Sequence, residues 1–259
     1  MNAFWRVALS GMFVLLAGCA GLSEKDRETQ LAQTPWATQS VQMMADGDAV
    51  SSAPQWKHHK LPGKTPSQFN YTRTDGRDAM AVMAASSASM LRSATRIEPA
   101  EMGKVRFSWK VPELIANADM ALRDADDSPV RIILAFEGDR SKFSPRDAML
   151  SELALTLTGE PLPYATLMYV WCNKRAPGTV ISSPRTDRIR KMVVESGAMK
   201  LDQWLDYERD IRGDFERAFG EAPGALVGVG IMTDSDNTRS TARAWYGPVR
   251  LAPFAANRD

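Results

Sequence analysis

The chain has 259 residues, with 32 lysines and arginines against 31 aspartates and glutamates, two cysteines and a net charge of +1. A balanced charge without a basic patch argues against nucleic acid as a partner, because nucleic-acid-binding surfaces are strongly positive. The length suits an N-terminal leader followed by one domain, since all-β domains can reach this size.

The first 18 residues predict the signal peptide of a bacterial lipoprotein. Arg6 supplies a positive charge, and residues 7–16 (VALSGMFVLL) are an uncharged run, whereas a membrane-spanning helix needs about 20 apolar residues. The run ends in LAGC at residues 16–19, which resembles a lipobox. We therefore expect cleavage before Cys19 and acylation of its thiol, with a plain secretory signal as the alternative. Such an anchor is stable because each buried methylene contributes about 0.8 kcal/mol.

Ala20, which follows the cysteine, resembles the pattern that directs Gram-negative lipoproteins to the outer membrane. The predicted location is the cell envelope, at the periplasmic face of the outer membrane, with the membrane itself as a partner. Removal of the signal peptide takes away Arg6 and leaves 31 basic and 31 acidic residues. With Cys19 acylated, Cys172 has no partner for an internal disulfide, and we expect it to be buried and inert rather than catalytic.

Residues 19–50 are polar and lack apolar periodicity, so they predict a flexible tether between lipid and domain. The alternative is that part of this segment is helical and packs on the domain. Residues 51–259 then form a single domain. Most of that domain has the period of 2 and the β-branched and aromatic content of strands. The predicted strands are 68–73, 78–91 (one long or two short), 104–111, 130–138, 166–173, 190–196, 225–233 and 243–251.

Two segments predict helices instead. Residues 144–159 begin with Ser144 as N-cap and Pro145 at the first helical position, and they end at Gly159. Residues 201–220 place a tryptophan and two phenylalanines at helical spacing, which indicates an amphipathic helix lying on the domain. Many strands with two inserted or packed helices favour a mostly-β sandwich over alternating βαβ units.

Five sequence motifs occur in a fixed order: FSWKV, DDSPVRI, PLPYATLMYVW, RDIRGDFERAFGE and GVGIMTDSDNT followed by WYG. In this order they resemble the bacterial family called domain of unknown function 3047, from about Trp56 to Leu251. The resemblance implies a jelly-roll-like sandwich of the galactose-binding type, many members of which bind sugars. It implies no activity, because fold does not determine function.

Acidic residues cluster in two loops, at 124–131 (DADDSPVR) and 233–238 (TDSDNT). The candidate ligand-binding residues there are Asp126, Asp127, Arg131, Asp234, Asp236 and Asn237. Asp234, Asp236 and Asn237 are also candidate calcium ligands, because Ca²⁺ takes six to eight oxygens. An EF-hand is excluded, since Arg239 stands where its glycine belongs and Trp245 where its bidentate glutamate belongs. The simpler interpretation is a pair of turns in which Asp and Asn bond their own backbone, with no cofactor.

Aromatic residues on predicted strands are the second candidate ligand surface. Trp171, Trp245 and Tyr246 could offer a sugar ring a stacking platform, whereas Trp109 shares its face with Val105 and Phe107 and indicates core packing. Gly228 and Gly230 leave a strip of backbone that another group could approach.

Catalysis has weaker support in the sequence. Glu137 with Asp126 or Asp234 is a conceivable carboxylate pair for glycoside hydrolysis. His58 and His59 are the only histidines, and neither a G-x-S-x-G elbow nor a phosphate-binding glycine loop is present. The sequence therefore predicts a lipid-anchored, non-catalytic β-sandwich that binds a ligand, with a glycan as the leading candidate. The alternatives are an envelope glycan hydrolase and a structural component of an envelope assembly; the oligomeric state stays open.

Overall fold

The computed structural model describes residues 23–40 and 55–252. It contains thirteen strands in the described ranges, and their order along the chain is β1(Trp56–Lys60), β2(Gln68–Thr74), β3(Arg77–Ala85), β4(Ala88–Ile97), β5(Lys104–Lys110), β6(Ser128–Phe136), β7(Ala165–Cys172), β8(Val180–Ser182), β9(Ile189–Ser196), β10(Trp204–Asp210), β11(Leu226–Asp234), β12(Thr241–Tyr246) and β13(Arg250–Ala252). The α-helices of these ranges are α1(Glu24–Ala32), α2(Pro35–Gln39), α3(Pro145–Thr158) and α4(Ile211–Phe219).

The strands form two sheets that face each other. One has seven strands in the order β1-β4-β11-β6-β7-β9-β8, and the other has the order β10-β5-β12-β3-β2, with β13 paired to β5. All pairs are antiparallel except β7 with β9. Aromatic rings from both sheets meet between them: Phe107 stacks on Tyr169 at 5.6 Å, and Trp109 lies 6.5 Å from Trp171. The predicted mostly-β sandwich is confirmed.

Alternation along each strand determines which side chains reach this core. Leu91, Ile132 and Ile231 point between the sheets and are almost fully buried. The residues before and after each of these three on its own strand therefore point away from the second sheet. The strands predicted at 130–138 and 225–233 are confirmed as β6 and β11. The segment predicted as a strand at 78–91 is divided into β3 and the start of β4 by a turn at Ser86, whose φ is 47°.

Helix α3 begins and ends where the sequence predicts. Ser144 is the N-cap, its hydroxyl oxygen accepting the amide proton of Asp147 at 3.1 Å. Gly159 ends the helix with a φ of 78°, a left-handed conformation that glycine adopts without strain.

The predicted helix at 201–220 is wrong in its first half. Residues 204–210 form β10, which pairs with β5, and α4 starts at Ile211. The N-cap is Asp210, whose carboxylate accepts the amide proton of Gly213 at 3.2 Å. Trp204 and Tyr207 therefore belong to a strand, and Tyr207 packs on the rings of Phe107 and Trp109. Strand pairing with β5 outweighs the helical spacing of the apolar residues.

The segment predicted as a tether contains α1 and α2. Trp36 in α2 is fully buried, with its ring 4.8 Å from that of Trp56. The hydroxyl of Ser40 accepts the amide proton of Val249 at 3.2 Å. The alternative of a helical segment that packs on the domain therefore applies to this part of the chain. The predicted signal peptide and Cys19 lie outside the described residues.

None of the helices in the described ranges has the length and apolar character needed to cross a membrane. Cys172 is buried, as expected, in a small apolar cluster with Val170 and Val193 behind the main core.

Candidate functional site

The outer face of the seven-stranded sheet forms the floor of a groove of about 1910 Å³. Its floor consists of the outward-pointing residues of the central strands, because their neighbours along each strand fill the core. The larger of these side chains are Met90, Arg92, Arg131, Ile133, Met168 and Met232.

The middle of this floor is recessed because two of its residues are glycines. Gly228 of β11 points into the groove between Ala94 and Ala135, and Gly230 points into it between Arg92 and Ile133. A Cβ atom added to Gly228 would lie 3.6 Å from the Cβ of Ala135, which is ordinary contact. A ligand can therefore approach the backbone closely along this strip.

Helix α3 lies across the groove. At its N-terminal end, Asp147 accepts a hydrogen bond from the hydroxyl of Thr186, and Arg146 donates to the carbonyl of Pro184 at 3.3 Å. Just beyond its C-terminal end, Glu160 forms an ion pair with Arg92 of β4. The contacts at the N-terminal end are with the loop between β8 and β9, and in the sheet these two strands lie five and four intervals from β4, so α3 spans the central strands. A 14-residue helix is about 21 Å long, close to the width of four to five strand intervals.

The side of α3 that faces the domain is polar, whereas apolar residues occupy the rest of the helix, and one row of them faces the groove. Asp147 and Ser151 are the buried residues of the helix. Leu150, Leu153 and Leu157 line the groove, and Leu153 and Leu157 remain 51% and 59% exposed. The helix thus presents a leucine stripe to the floor of the sheet.

One end of the floor holds a buried cluster of four charged residues. The guanidinium of Arg131 donates to both carboxylate oxygens of Asp234, at 2.9 and 3.0 Å, and to Asp126 at 3.0 Å. The ammonium of Lys191 donates to both carboxylate oxygens of Asp126 at 2.6 Å. Two positive and two negative charges therefore balance each other, which a buried cluster requires.

Burial changes the proton affinities in this cluster. It raises the pKa of Asp234 to about 6, although Arg131 acts in the opposite direction. Burial, together with the neighbouring Arg131, lowers the pKa of Lys191 to about 8. Burial alone would also lower the pKa of Arg131, but Asp234 and Asp126 outweigh it and raise that pKa.

The two acidic loops of the sequence meet beside this cluster. Asp127 accepts the backbone amide protons of Asn237 and Thr238, at 3.2 and 2.7 Å, and a hydroxyl proton from Thr238. The side-chain amide of Asn237 donates to the carbonyl of Arg123 at 2.8 Å, and Asp236 pairs with Lys64. Asp127 and Asn237 therefore bond the backbone of the opposite loop and not their own, so the contacts join the two loops and do not form the two separate turns of the simpler interpretation.

Carboxylate oxygens of Asp127, Asp234 and Asp236 lie within 4.8 Å of one another. Each of the three already accepts hydrogen bonds, from backbone amides, from Arg131 and from Lys64 respectively. A Ca²⁺ ion there would compete with these donors. The side-chain amide of Asn237 donates to the carbonyl of Arg123 instead of facing the three carboxylates. Calcium binding stays a prediction that the geometry does not strengthen.

The predicted aromatic platform needs correction. Trp171 and Tyr246 are buried in the core, where the indole of Trp171 donates to the carbonyl of Gly197 at 2.9 Å and Tyr246 donates to that of Met232 at 2.5 Å. Neither ring is open to a sugar. Trp245 points outward from the six-stranded sheet, on the side of the molecule away from the groove, with the ammonium of Lys110 6.0 Å from its ring. Trp109 is in the core, as expected.

Sequence reasoning missed Lys191, the leucine stripe of α3 and the edge strand β1 with Lys57 and His59. The spacing of Leu150, Leu153 and Leu157 is visible in the sequence, but it does not show that the stripe faces a groove. Strand β1 (WKHHK) has too few apolar residues to give a strand pattern.

Comparison with known proteins identifies the family. The family described as "Protein of unknown function (DUF3047)" matches residues 54–250, so the chain belongs to this family, as its motifs predicted. No curated protein matches the sequence significantly.

Three solved structures illustrate the structural similarity. One is a family 11 carbohydrate-binding module of the cellulosomal cellulase Lic26A-Cel5E of Clostridium thermocellum, at 9% identity and a TM-score of 0.38, covering 84% of this chain and 96% of that one. A CBM4 structure has 8% identity and a TM-score of 0.37, covering 84% and 97%. The cellulose-induced protein Cip1 has 10% identity and a TM-score of 0.40, covering 76% and 93%.

Proposed function

We propose that this member of the DUF3047 family is a lipid-anchored, non-catalytic binding protein of the bacterial envelope, and that its groove holds an envelope glycan. The observation that carries the proposal is the open groove of about 1910 Å³ on the outer face of the seven-stranded sheet. A concave site of this kind, with polar groups around an apolar floor, is the usual form of a ligand site.

Charged side chains along the groove support a hydroxyl-rich ligand. Lys57, His59 and Arg92 lie on the edge of the sheet formed by β1 and β4, Glu137 follows β6, and Glu160 follows the C-terminal end of α3. Ammonium and guanidinium groups donate hydrogen bonds, and carboxylates accept them, so together they match the hydroxyl groups of a sugar. The low strip at Gly228 and Gly230 lets a ring approach the sheet backbone.

Hydrolysis by paired carboxylates has less support. A general acid must exchange a proton with the substrate, whereas Asp126 and Asp234 are buried in ion pairs and Asp127 is held by backbone amides. Glu137, the other candidate, forms an ion pair with Arg96. These contacts favour binding over glycan hydrolysis.

A glycan array that includes peptidoglycan fragments and lipopolysaccharide tests the ligand class. We expect binding by the wild type and a loss of at least about tenfold in Gly228→Leu, because the new side chain rises from the floor where a Cβ meets only ordinary contacts. Trp245→Ala, on the opposite side of the molecule, is the control and should bind like the wild type. An array without any bound glycan would refute this ligand class.

Location has a separate test. Metabolic labelling with palmitate should mark the wild-type protein in a bacterial host, and Cys19→Ala should abolish the label. Labelling that persists in Cys19→Ala would refute lipidation at this residue without affecting the groove.

A further inference from the structure

The orientation of α3 is unusual for a surface helix. A helix normally turns its apolar stripe toward the domain and its polar side toward water. Here Asp147 and Ser151 are buried against the domain, whereas Leu150, Leu153 and Leu157 line the groove. The contacts at both ends of α3 hold the helix in this orientation.

The floor opposite the leucine stripe is apolar as well. Ile133 and Met168 lie side by side on β6 and β7, and Ala135 continues the surface toward the end of β6. Methionine side chains adapt to the shape of an apolar ligand because they are unbranched and flexible. The space between α3 and the sheet is therefore lined by apolar groups from both sides.

The groove as a whole carries a positive charge. Eight of its lining residues are lysine or arginine and six are aspartate or glutamate. All six acidic residues pair with a lysine or arginine. Lys57 and Arg185, at opposite edges of the sheet, line the groove without an ion pair to any described residue. A ligand with a carboxylate or phosphate group complements this charge.

We propose that the space beneath α3 binds a fatty acyl chain, so that the ligand of the groove is an anionic amphiphile, an acylated glycan rather than a bare oligosaccharide. The inference rests on the proposed function in taking the groove as the ligand site. The acyl chain packs between the leucine stripe and the floor, and the anionic head group lies toward Lys57 or Arg185.

Calorimetry with a series of fatty acids tests the acyl site. The protein is the full mature chain with Cys19→Ser, which prevents its own lipid from entering the groove. From octanoate to decanoate to dodecanoate, we expect affinity to rise about fifteenfold at each step, because each step adds two methylenes and every methylene removed from water contributes about fourfold. Dodecanol, which lacks the charge, should bind more weakly than dodecanoate.

Variants on α3 locate the binding. Leu153→Gln and Leu157→Gln change exposed residues of the stripe, so the fold should tolerate them, and each should weaken dodecanoate binding about tenfold or more. Leu155→Gln, on the same helix but outside the groove, is the matched control and should leave affinity unchanged. An affinity that does not depend on chain length would overturn the inference, as would an equal loss in Leu155→Gln.

The outcomes separate the two proposals. An acyl-free oligosaccharide that binds the wild type, combined with no binding of dodecanoate, leaves the glycan proposal standing and removes the acyl site. Dodecanoate binding that depends on Leu153, with no glycan bound in any form, supports the acyl site and refutes the glycan. Stronger binding of an acylated glycan than of its deacylated form supports both.

Discussion

Arg131 holds together the two acidic loops at 124–131 and 233–238. It contacts Asp126 from the loop before β6 and Asp234 at the end of β11, and Lys191 of β9 completes the cluster. Removal of one partner from such a cluster costs about 3–5 kcal/mol, because a charge is then left buried without compensation. These carboxylates therefore have a structural role: they connect β11, β6 and β9 at one end of the groove floor, across the intervening β7.

Replacing Lys191 by methionine should remove a pH dependence of stability. The pKa of Lys191 is lowered from 10.5 to about 8. Between these two values the unfolded chain binds a proton that the folded chain does not, so stability rises with pH across this window. Urea unfolding should show the wild type gaining up to about 3 kcal/mol relative to Lys191→Met between pH 8 and 10.5.

The control for this measurement is Lys25→Met, which makes the same substitution at an exposed residue of α1. If the free energy of unfolding changed with pH equally in Lys25→Met and Lys191→Met, the pH dependence would not come from the buried Lys191.

At the scale of elements, local sequence signals determine the secondary structure of α3 but not that of the segment 204–219. The N-cap, the proline at the first turn and the final glycine of α3 act within the helix itself, and the predicted limits of α3 are confirmed. The segment 204–219 has the right apolar residues for one helix, but residues 204–210 pair with β5. A partner a hundred residues earlier in the chain decides that structure, so sequence spacing alone gives the wrong element.

Loss of the N-cap of α3 should loosen the helix that lies across the groove. Ser144→Ala removes the acceptor of the Asp147 amide proton, which costs about 1 kcal/mol. Native-state hydrogen exchange should show faster exchange in residues 145–158 than in the wild type, with β6 unchanged. Thr156→Ala, on an exposed site of the same helix, should not increase exchange, since alanine favours helices. A uniform increase across the domain would contradict the prediction.

At the scale of the whole molecule, the N-terminal helices connect the sandwich to the predicted membrane anchor. Trp36 inserts beside Trp56, and Arg250 near the end of the chain donates to the backbone carbonyl and side chain of Gln39, at 3.2 and 2.7 Å. Residues from both ends of the described chain therefore meet on one side of the domain.

Trp36→Ala tests whether this docking contributes to the stability of the domain. Removing a buried tryptophan side chain costs about 3–5 kcal/mol in a core that cannot collapse around it. Urea unfolding should show this loss, whereas Trp245→Ala, a half-buried residue on the outer sheet face, should cost about 1 kcal/mol or less. Equal stability of Trp36→Ala and the wild type would mean that α2 does not dock in solution.

The sequence by itself determined the family, most of the strands and the limits of α3, because alternation, caps and turn glycines act over a few residues. The sequence also identified the two acidic loops as candidate ligand sites, but it did not show that they contact each other. Tertiary structure alone decided which face of each strand is buried: Trp171 and Tyr246 point into the core, and Met168 and Arg131 point into the groove. An alternating strand has two faces, and only the second sheet and the helix across the first determine which face becomes core and which becomes a site.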